Sequence, residues 1–244
     1  MSTLVDSVSD ILSRVERRVE ASSQNISNVT TPGYKRAVSF ESVLDARNTL
    51  LPSDDISDTP LQALQAKYAI DVSPGQPMNT DNANDLALLG AGFFTVKSAD
   101  GAMLYTRQGQ FQRDASGRLL NTQGCALQQA GGGDLVLKSG DFKVLNDGTV
   151  MQSGEAVGRI AVVSLSDPGA IRYVDGGLYD APAETASLMS DPSVSQGALE
   201  ASNVSLGTEM LTIMSALREA QSGQRLMSVY DDLMGRAIST FGQG

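Results

Sequence analysis

Two neighbouring carboxylate pairs, Asp54-Asp55 and Asp231-Asp232, come nearest to an arrangement for acid–base work. Hydrolysis by two carboxylates needs both side chains aimed at one bond. Adjacent residues diverge in regular structure, and no catalytic motif surrounds either pair. The chain has no histidine and one cysteine, Cys125, which removes the usual nucleophile and base pairs and nearly every zinc site. Gly90, Gly92 and Gly131 to Gly133 would suit a phosphate cradle only between a strand and a helix N-terminus, with a lysine-serine or lysine-threonine ending. That context is missing, so they read as turn and close-packing residues. Glycosylation sequons begin at Asn25, Asn28 and Asn203, and all three read as caps and helix-end contacts. The expectation is a protein that is no enzyme, with no catalytic, cofactor-binding or metal residues.

Partner classes narrow in the same way. A formal net charge of −10 and a pI near 4.4 argue against nucleic acid or an anionic membrane as the main partner, because both reward basic patches. A content of 41% hydrophobic but only 5% aromatic residues implies an aliphatic, partly thin core in one large or two modest domains. A lone cysteine leaves the redox compartment open. No cationic leader with an apolar core and cleavage site stands at the N-terminus, and no run reaches the length of a membrane span. The expectation is a chain that stays in the cytosol or leaves by a route without a cleaved signal, with no direct membrane insertion.

The elements that would position any site are organised around Ala21 to Arg36, ASSQNISNVTTPGYKR. Apolar residues at Leu4, Val8, Ile11, Leu12, Val15, Val19, Ile26 and Val29 follow the spacing of one helical face. Thr31-Pro32 should end that helix, and Pro32-Gly33 suits a type II turn with φ > 0 at the glycine. Tyr34 then supplies an aromatic anchor, and Lys35-Arg36 two cations for the free carbonyls of the helix end. The result is a joint that sends the chain off in a defined direction.

The opposite end carries a near-heptad. Leu206, Ile213, Ala220, Met227, Met234 and Phe241 form one row, with Met210, Leu217 and Ile238 in a second that Gln224 and Asp231 interrupt. Leu211, Met214, Leu226, Val229, Tyr230 and Leu233 fall off this seam, so more than one face is apolar. Either an intramolecular helical hairpin or contact with neighbouring subunits would satisfy the pattern. Asn203 or Ser205 is available as N-cap, and Glu209 for the positive end of the helix dipole.

Between the helices, residues 41 to 69 are polar and weakly periodic and read as an irregular arm. Then β signals dominate. Three hairpins are expected about Asp100-Gly101, Ser116-Gly117 and Asp147-Gly148, and Ile160 to Leu165 reads as a buried strand stopped by Asp167-Pro168-Gly169. The fold class is therefore α+β. Long N- and C-terminal helices pack as a coiled-coil-like pair, with a central all-β domain and an irregular arm.

Three phrases resemble the signatures of bacterial flagellar axial proteins, the rod and hook subunits. The first is the joint, with Asn25, Asn28, Thr31, Pro32, Gly33, Tyr34 and Lys35 in the family order. The second opens the β domain, with Gly90, Gly92, Phe93, Phe94, Tyr105, Thr106, Arg107, Gly109 and Phe111; Leu88-Leu89 stands where the family usually has an acidic residue. The third, Gly197-Ala-Leu-Glu-Ala-Ser-Asn203-Val, precedes the last helix.

The resemblance implies a structural subunit of the flagellar basal-body rod. It would assemble helically with copies of itself and homologous rod and hook proteins, as a torque-transmitting shaft around the export channel. Before that it would pass through the flagellar type III export apparatus, without a cleaved signal peptide, to the axial rod in the periplasm. The assembly seam would comprise Val8, Ile11, Val15, Asn203, Leu206, Met210, Ile213, Leu217, Met227, Met234 and Ile238. Residues 1–36 and 197–244 would form the core tube domain, 37–84 an arm or linker, and 85–196 the β domain. A single β domain in so short a chain fits a proximal rod subunit first, and a distal rod or short hook-type subunit second. A peptidoglycan hydrolase, since a rod must cross the cell wall, and a soluble β-domain scaffold are the alternatives of another class.

Overall fold

β-branched and aromatic residues in alternation produce the strand on which the rest of the β structure is hung, β5 (Phe93–Lys97). In the computed structural model, which describes residues 2–39 and 68–241, β5 pairs along one edge with β6 (Met103–Thr106). Its other edge is shared by β13 (Val162–Leu165), opposite Phe93 and Phe94, and β9 (Ala126–Leu127), opposite Val96 and Lys97. The sheet continues through β8 (Leu119–Asn121) and β7 (Phe111–Arg113) on one side, and through β15 (Leu178–Asp180) and β14 (Arg172–Tyr173) on the other. β16 (Ala186–Leu188) adds to β13. Strand period sends Phe93 to one face and Phe94 and Val96 to the other. Both faces are covered, by the Tyr105, Val163 and Tyr179 cluster and by the Phe111, Leu127 and Ile160 cluster. That is why two adjacent phenylalanines are both buried.

The three expected hairpins form, and a fourth turn at Gly124 repeats their geometry. In each, one residue donates its amide to the carbonyl four positions on, and the glycine donates back, as in Ser98 to Ala102 and Gly101 to Ser98 at 2.9 Å each. Three-residue loops with the final glycine left-handed build such turns. A three-stranded sheet follows, β10 (Phe142–Val144), β11 (Thr149–Gln152) and β12 (Glu155–Arg159).

Three short strand pairs lie outside the expected β segments or at their borders. β1 (Ala37–Ser39) pairs β2 (Tyr68–Ile70), β3 (Pro77–Asn79) pairs β18 (Ala198–Glu200), and β4 (Leu86–Leu88) pairs β17 (Val194–Gln196). The ends of the presumed arm are thus strands, too short to show a period; residues 40 to 67, with Asp54 and Asp55, lie outside the described residues. Among the described residues, no helix is long and apolar enough to cross a membrane.

The helices are α1 (Ser2–Ser27) and α2 (Leu206–Phe241), and they run antiparallel, Arg18 meeting Ser215 and Glu219 while Gly223 faces Val8 and Ile11. The contact differs from the expected seam. Its buried row on α2 is Glu209, Ala216 and Gly223, against Val8, Val15 and Ser22 of α1. Ile213, Ala220 and Met227 flank it half-buried, while Leu206, Met210 and Leu217 are 42%, 49% and 51% exposed. Small residues let two helices approach closely, so the row with the least hydrophobic signal became the contact. The side chains of Met234 and Ile238 are outside the described residues.

One close approach inside the β body is decisive for stability. A Cβ at Gly109 would stand 1.5 Å from the Leu86 carbonyl oxygen, where the backbone has no room to yield. Gly109→Ala should cost about 3 kcal/mol or more by overpacking, read as a fall in the urea midpoint. A midpoint within error of wild type would show that the Leu86 to Gly109 contact carries no such constraint.

Candidate functional site

The last turn of α1 is closed by Asn28, whose amide reaches the Gln24 carbonyl at 3.2 Å, with Pro32 beyond it. Thr31 to Tyr34 then forms a turn, Tyr34 N–H donating to Thr31 at 3.3 Å with Gly33 at φ +71°. Glycine is required there twice over, since a Cβ would lie 2.3 Å from the Arg107 carbonyl carbon. Asn25 fixes the exit. Its carboxamide accepts from Ala37 N–H and donates to Ala37 carbonyl, both at 2.8 Å, and accepts from the Tyr34 hydroxyl at 3.1 Å. A fully buried side chain here stands in for a neighbouring strand.

The two cations do not cap the helix end. Lys35 Nζ pairs with Glu200 Oε1 at 2.6 Å and donates to the Ser73 carbonyl at 2.6 Å. Arg107 Nη1 meets the other oxygen of Glu200 at 2.9 Å, and its Nη2 donates to the Gly90 carbonyl at 2.5 Å. All three side chains are within 1% of complete burial. The guanidinium also lies over the Phe93 ring, 5.5 Å from its centre. Gly75 N–H completes the carboxylate at 2.6 Å, and Gly33 N–H binds the Glu200 carbonyl at 2.7 Å. The neighbouring Arg36 pairs instead with buried Glu209, in the first turn of α2, at 2.5 Å. A buried carboxylate was available to each cation, and an ion pair in low dielectric outweighs the field of a solvated helix end.

Asn203 belongs to this joint rather than to a helix cap. It accepts from Arg36 N–H at 2.7 Å and donates to the carbonyls of Asp71 and Ser73 at 2.9 and 3.1 Å. Ser205, immediately before α2, accepts Glu209 N–H through its carbonyl at 3.0 Å. The sequons at Asn25, Asn28 and Asn203 are all engaged in hydrogen bonds within the chain.

Electrostatics follow the burial. Loss of solvent pulls the Lys35 ammonium below the ordinary lysine range, with Glu200 opposing, and does the same to Arg107. Burial pushes the hydroxyls of Tyr34 and Tyr179 far above the usual tyrosine range. Tyr179 accepts from Lys35 N–H at 2.8 Å, and its ring meets Phe93 and Tyr173 edge-on.

The remaining signature residues support this centre. Gly90 gives its carbonyl to Arg107, and a Cβ on Gly92 would strike Met189 Sδ at 2.7 Å. Thr106 donates to the Gly177 carbonyl at 2.7 Å, Tyr105 is buried beside Tyr179, and Phe111 stacks edge-on against Phe94. Leu88 is buried and Leu89 is 53% exposed, so only the second of the unusual pair reaches the surface. Asp232 is exposed, and among the described residues no group of histidine, cysteine and carboxylates could hold a metal. Sequence reasoning missed Tyr179, and gave Glu200, which stands inside the third phrase, no role of its own. The available signal for Glu200 was a lone acid in an otherwise apolar strand, Ala-Leu-Glu-Ala.

Residues 87–152 match the family described as "Flagellar hook protein FlgE/F/G D1 domain", and residues 195–240 match "Flagellar basal body rod FlgEFG protein C-terminal". The flagellar basal-body rod protein FlgF of Salmonella typhimurium is 30% identical over 234 residues, covering 87% of this chain and 88% of that protein. The chain belongs to the flagellar basal-body rod protein family. Its relatives include FlgF of Caulobacter vibrioides, 28% identical over 94% of each chain, and FlgG of Agrobacterium fabrum, 24% identical over 89% and 91%. Arg107 lies in the first matched rod-family segment and Glu200 in the second. The ion pair between them is therefore one place where the two segments meet, with Lys35 arriving from outside both.

Glu200→Gln strands two buried cations and should cost about 3–5 kcal/mol, whereas Lys35→Met leaves a neutral Arg107–Glu200 pair and should cost about 1–3 kcal/mol. Urea unfolding of both variants checks the order, and equal losses would deny the asymmetry. Stability should also fall as pH rises past the ordinary tyrosine range. Tyr34 and Tyr179 ionise in the unfolded chain first, each adding about 1.4 kcal/mol per pH unit to the slope. Lys35 and Arg107 act oppositely, because their protons leave the folded chain first. The Lys35 contribution is complete by the ordinary lysine range, whereas the tyrosine decline, to which Tyr105 and Tyr173 add, continues above it. Tyr34→Phe should flatten the alkaline decline by one group, measured by urea midpoints across that range.

Proposed function

We propose that the chain is a structural axial subunit of the flagellar basal-body rod, working through surface and shape and not as an enzyme. The observation that carries this is the distribution of apolar residues on α2. Its contact with α1 uses Ala216 and Gly223, while Leu211, Leu226, Val229 and Leu233 are 64%, 60%, 56% and 59% exposed. Exposed leucines repeated along one long helix favour contact with further subunits, and contacts that do not close into a ring generate an open stack.

In this reading α1 and α2 pack as a coiled-coil-like pair in an inner tube around the export channel, with the β body outside. Residues 1–36 and 197–244 serve as the tube domain, 37–84 as the arm and 85–196 as the β domain. Rod and hook homologues above and below are the partners. Val8, Ile11 and Val15 stiffen the pair from within, with Ile213 and Met227 at its margin, while Leu206, Met210 and Leu217 offer the outward contacts. Asn203, engaged with Arg36, holds the joint and not the seam. The chain reaches the periplasmic rod through the type III export apparatus. A single β domain supports a proximal position, next to the inner membrane.

Leu217→Asp should abolish incorporation by charging the outer face, and Gly33→Val should do so by forcing the joint open. The test is a cryo-electron map of basal bodies purified from each strain. Density for a few copies near the inner membrane in wild type, and its loss in both variants, is the expected result. A long stack reaching the outer rings would make the chain distal instead. Absence from the axis in wild type would sink the structural reading.

A further inference from the structure

Successive residues of the exit from the joint face two different bodies. Gly33 N–H donates to the Glu200 carbonyl at 2.7 Å and Lys35 N–H to the Tyr179 hydroxyl at 2.8 Å, while the Lys35 ammonium reaches Ser73 and Glu200. These partners lie in β15, β18 and the loop before β3. Neither hydrophobic cluster of the β body contains a residue of α1 or α2, so the surface that receives Gly33 and Lys35 is built without the helices. The next two residues turn the other way. Arg36 N–H donates to Asn203 at 2.7 Å, its guanidinium binds Glu209 of α2, and Ala37 N–H donates to Asn25 of α1 at 2.8 Å.

We propose that Gly33 to Lys35 is mechanically part of the β body, docked on it before the helices pair, and that Arg36 and Ala37 form a latch coupling helix docking to that anchor. The device belongs to the single chain and does not depend on how, or whether, subunits stack. It divides the joint at the peptide bond between Lys35 and Arg36. On its N-terminal side the amides of Gly33 and Lys35 and the Lys35 ammonium are held by β-body residues, with the Tyr34 hydroxyl crossing to Asn25. On its C-terminal side the amides of Arg36 and Ala37 and the Arg36 guanidinium are held by a helix or the approach to one, with the Arg36 carbonyl accepting from Asp71 N–H at 2.9 Å and Ala37 standing opposite Ile70. Regions of one protein that open with different free energies reveal themselves in amide exchange.

The experiment is residue-resolved amide hydrogen exchange by NMR on the full chain at a dilution where it is monomeric, compared with Ala216→Asp. Ala216 is completely buried between α1 and α2, so a carboxylate there separates the helices without touching the β body. In the variant, Arg36 and Ala37 should exchange about a hundredfold faster. Gly33 and Lys35 should keep their protection within about threefold, as should Thr95, whose amide is bound to the Ala161 carbonyl in the β body. Loss of protection at Gly33 and Lys35 together with Arg36 and Ala37 would overturn the anchor, and so would loss at Thr95. Protection retained at all four joint residues would overturn the latch. A milder variant, Arg36→Met, removes the guanidinium alone. It should speed exchange at Ala37 and in the first turn of α2 while leaving Gly33 and Lys35 unmoved, and the opposite pattern refutes the division.

Discussion

A single buried carboxylate, that of Glu200, is the constraint on which the architecture depends. It answers two cations that come from residues 35 and 107, and neither cation has access to water. Burying such charges unpaired is prohibitive, while burying them paired is only about as favourable as a well-packed apolar substitute. The cluster therefore adds little to net stability but discriminates strongly between arrangements. A fold that buried either cation without Glu200 would leave a bare charge in low dielectric. The turn after α1, the end of β6 and the strand before α2 must arrive at one place together.

Three short phrases, far apart in the chain, supply the groups that meet there. The first supplies Gly33 and Lys35, the second the Gly90 carbonyl and Arg107, and the third Glu200, with Asn203 beside it holding Arg36. The carbonyl of Gly90 and the amide of Gly75 add hydrogen bonds to the charges and Gly33 N–H binds the Glu200 main chain, while Arg107 Nε is buried without a hydrogen-bond partner. Backbone groups solvate the ions, which ties the turn after α1 to the β body.

Features written in neighbouring residues were legible in the sequence. Asp-Gly and Ser-Gly pairs between alternating strands announced the hairpins, and Thr-Pro-Gly announced the turn, because each signal is a local φ preference. Long-range destinations were not. Lys35 and Glu200 are separated by 165 positions, and nothing beside Lys35 distinguishes a buried cation from one that caps a helix. The strands at Ala37–Ser39, Tyr68–Ile70 and Pro77–Asn79 are too short to establish a period. On α2 the hydrophobic pattern was read correctly as having more than one apolar face. Its inward side was missed, since Ala216 and Gly223 earn their place by being small. Bulky residues mark where such a helix goes next; small ones mark where it already is.

The alternation of Lys35 and Arg36 between two bodies has a consequence for how the joint can vary. An extended chain assigns neighbours to opposite sides by count, so its partners are chosen by position along the backbone as much as by side-chain type. Replacing one cation weakens one side and leaves the assignment intact. Removing or adding one residue between Gly33 and Ala37 moves Lys35 or Arg36 off its partner, offering the helices what the β body should receive. A change in the length of this segment is therefore more disruptive than a change in one of its side chains.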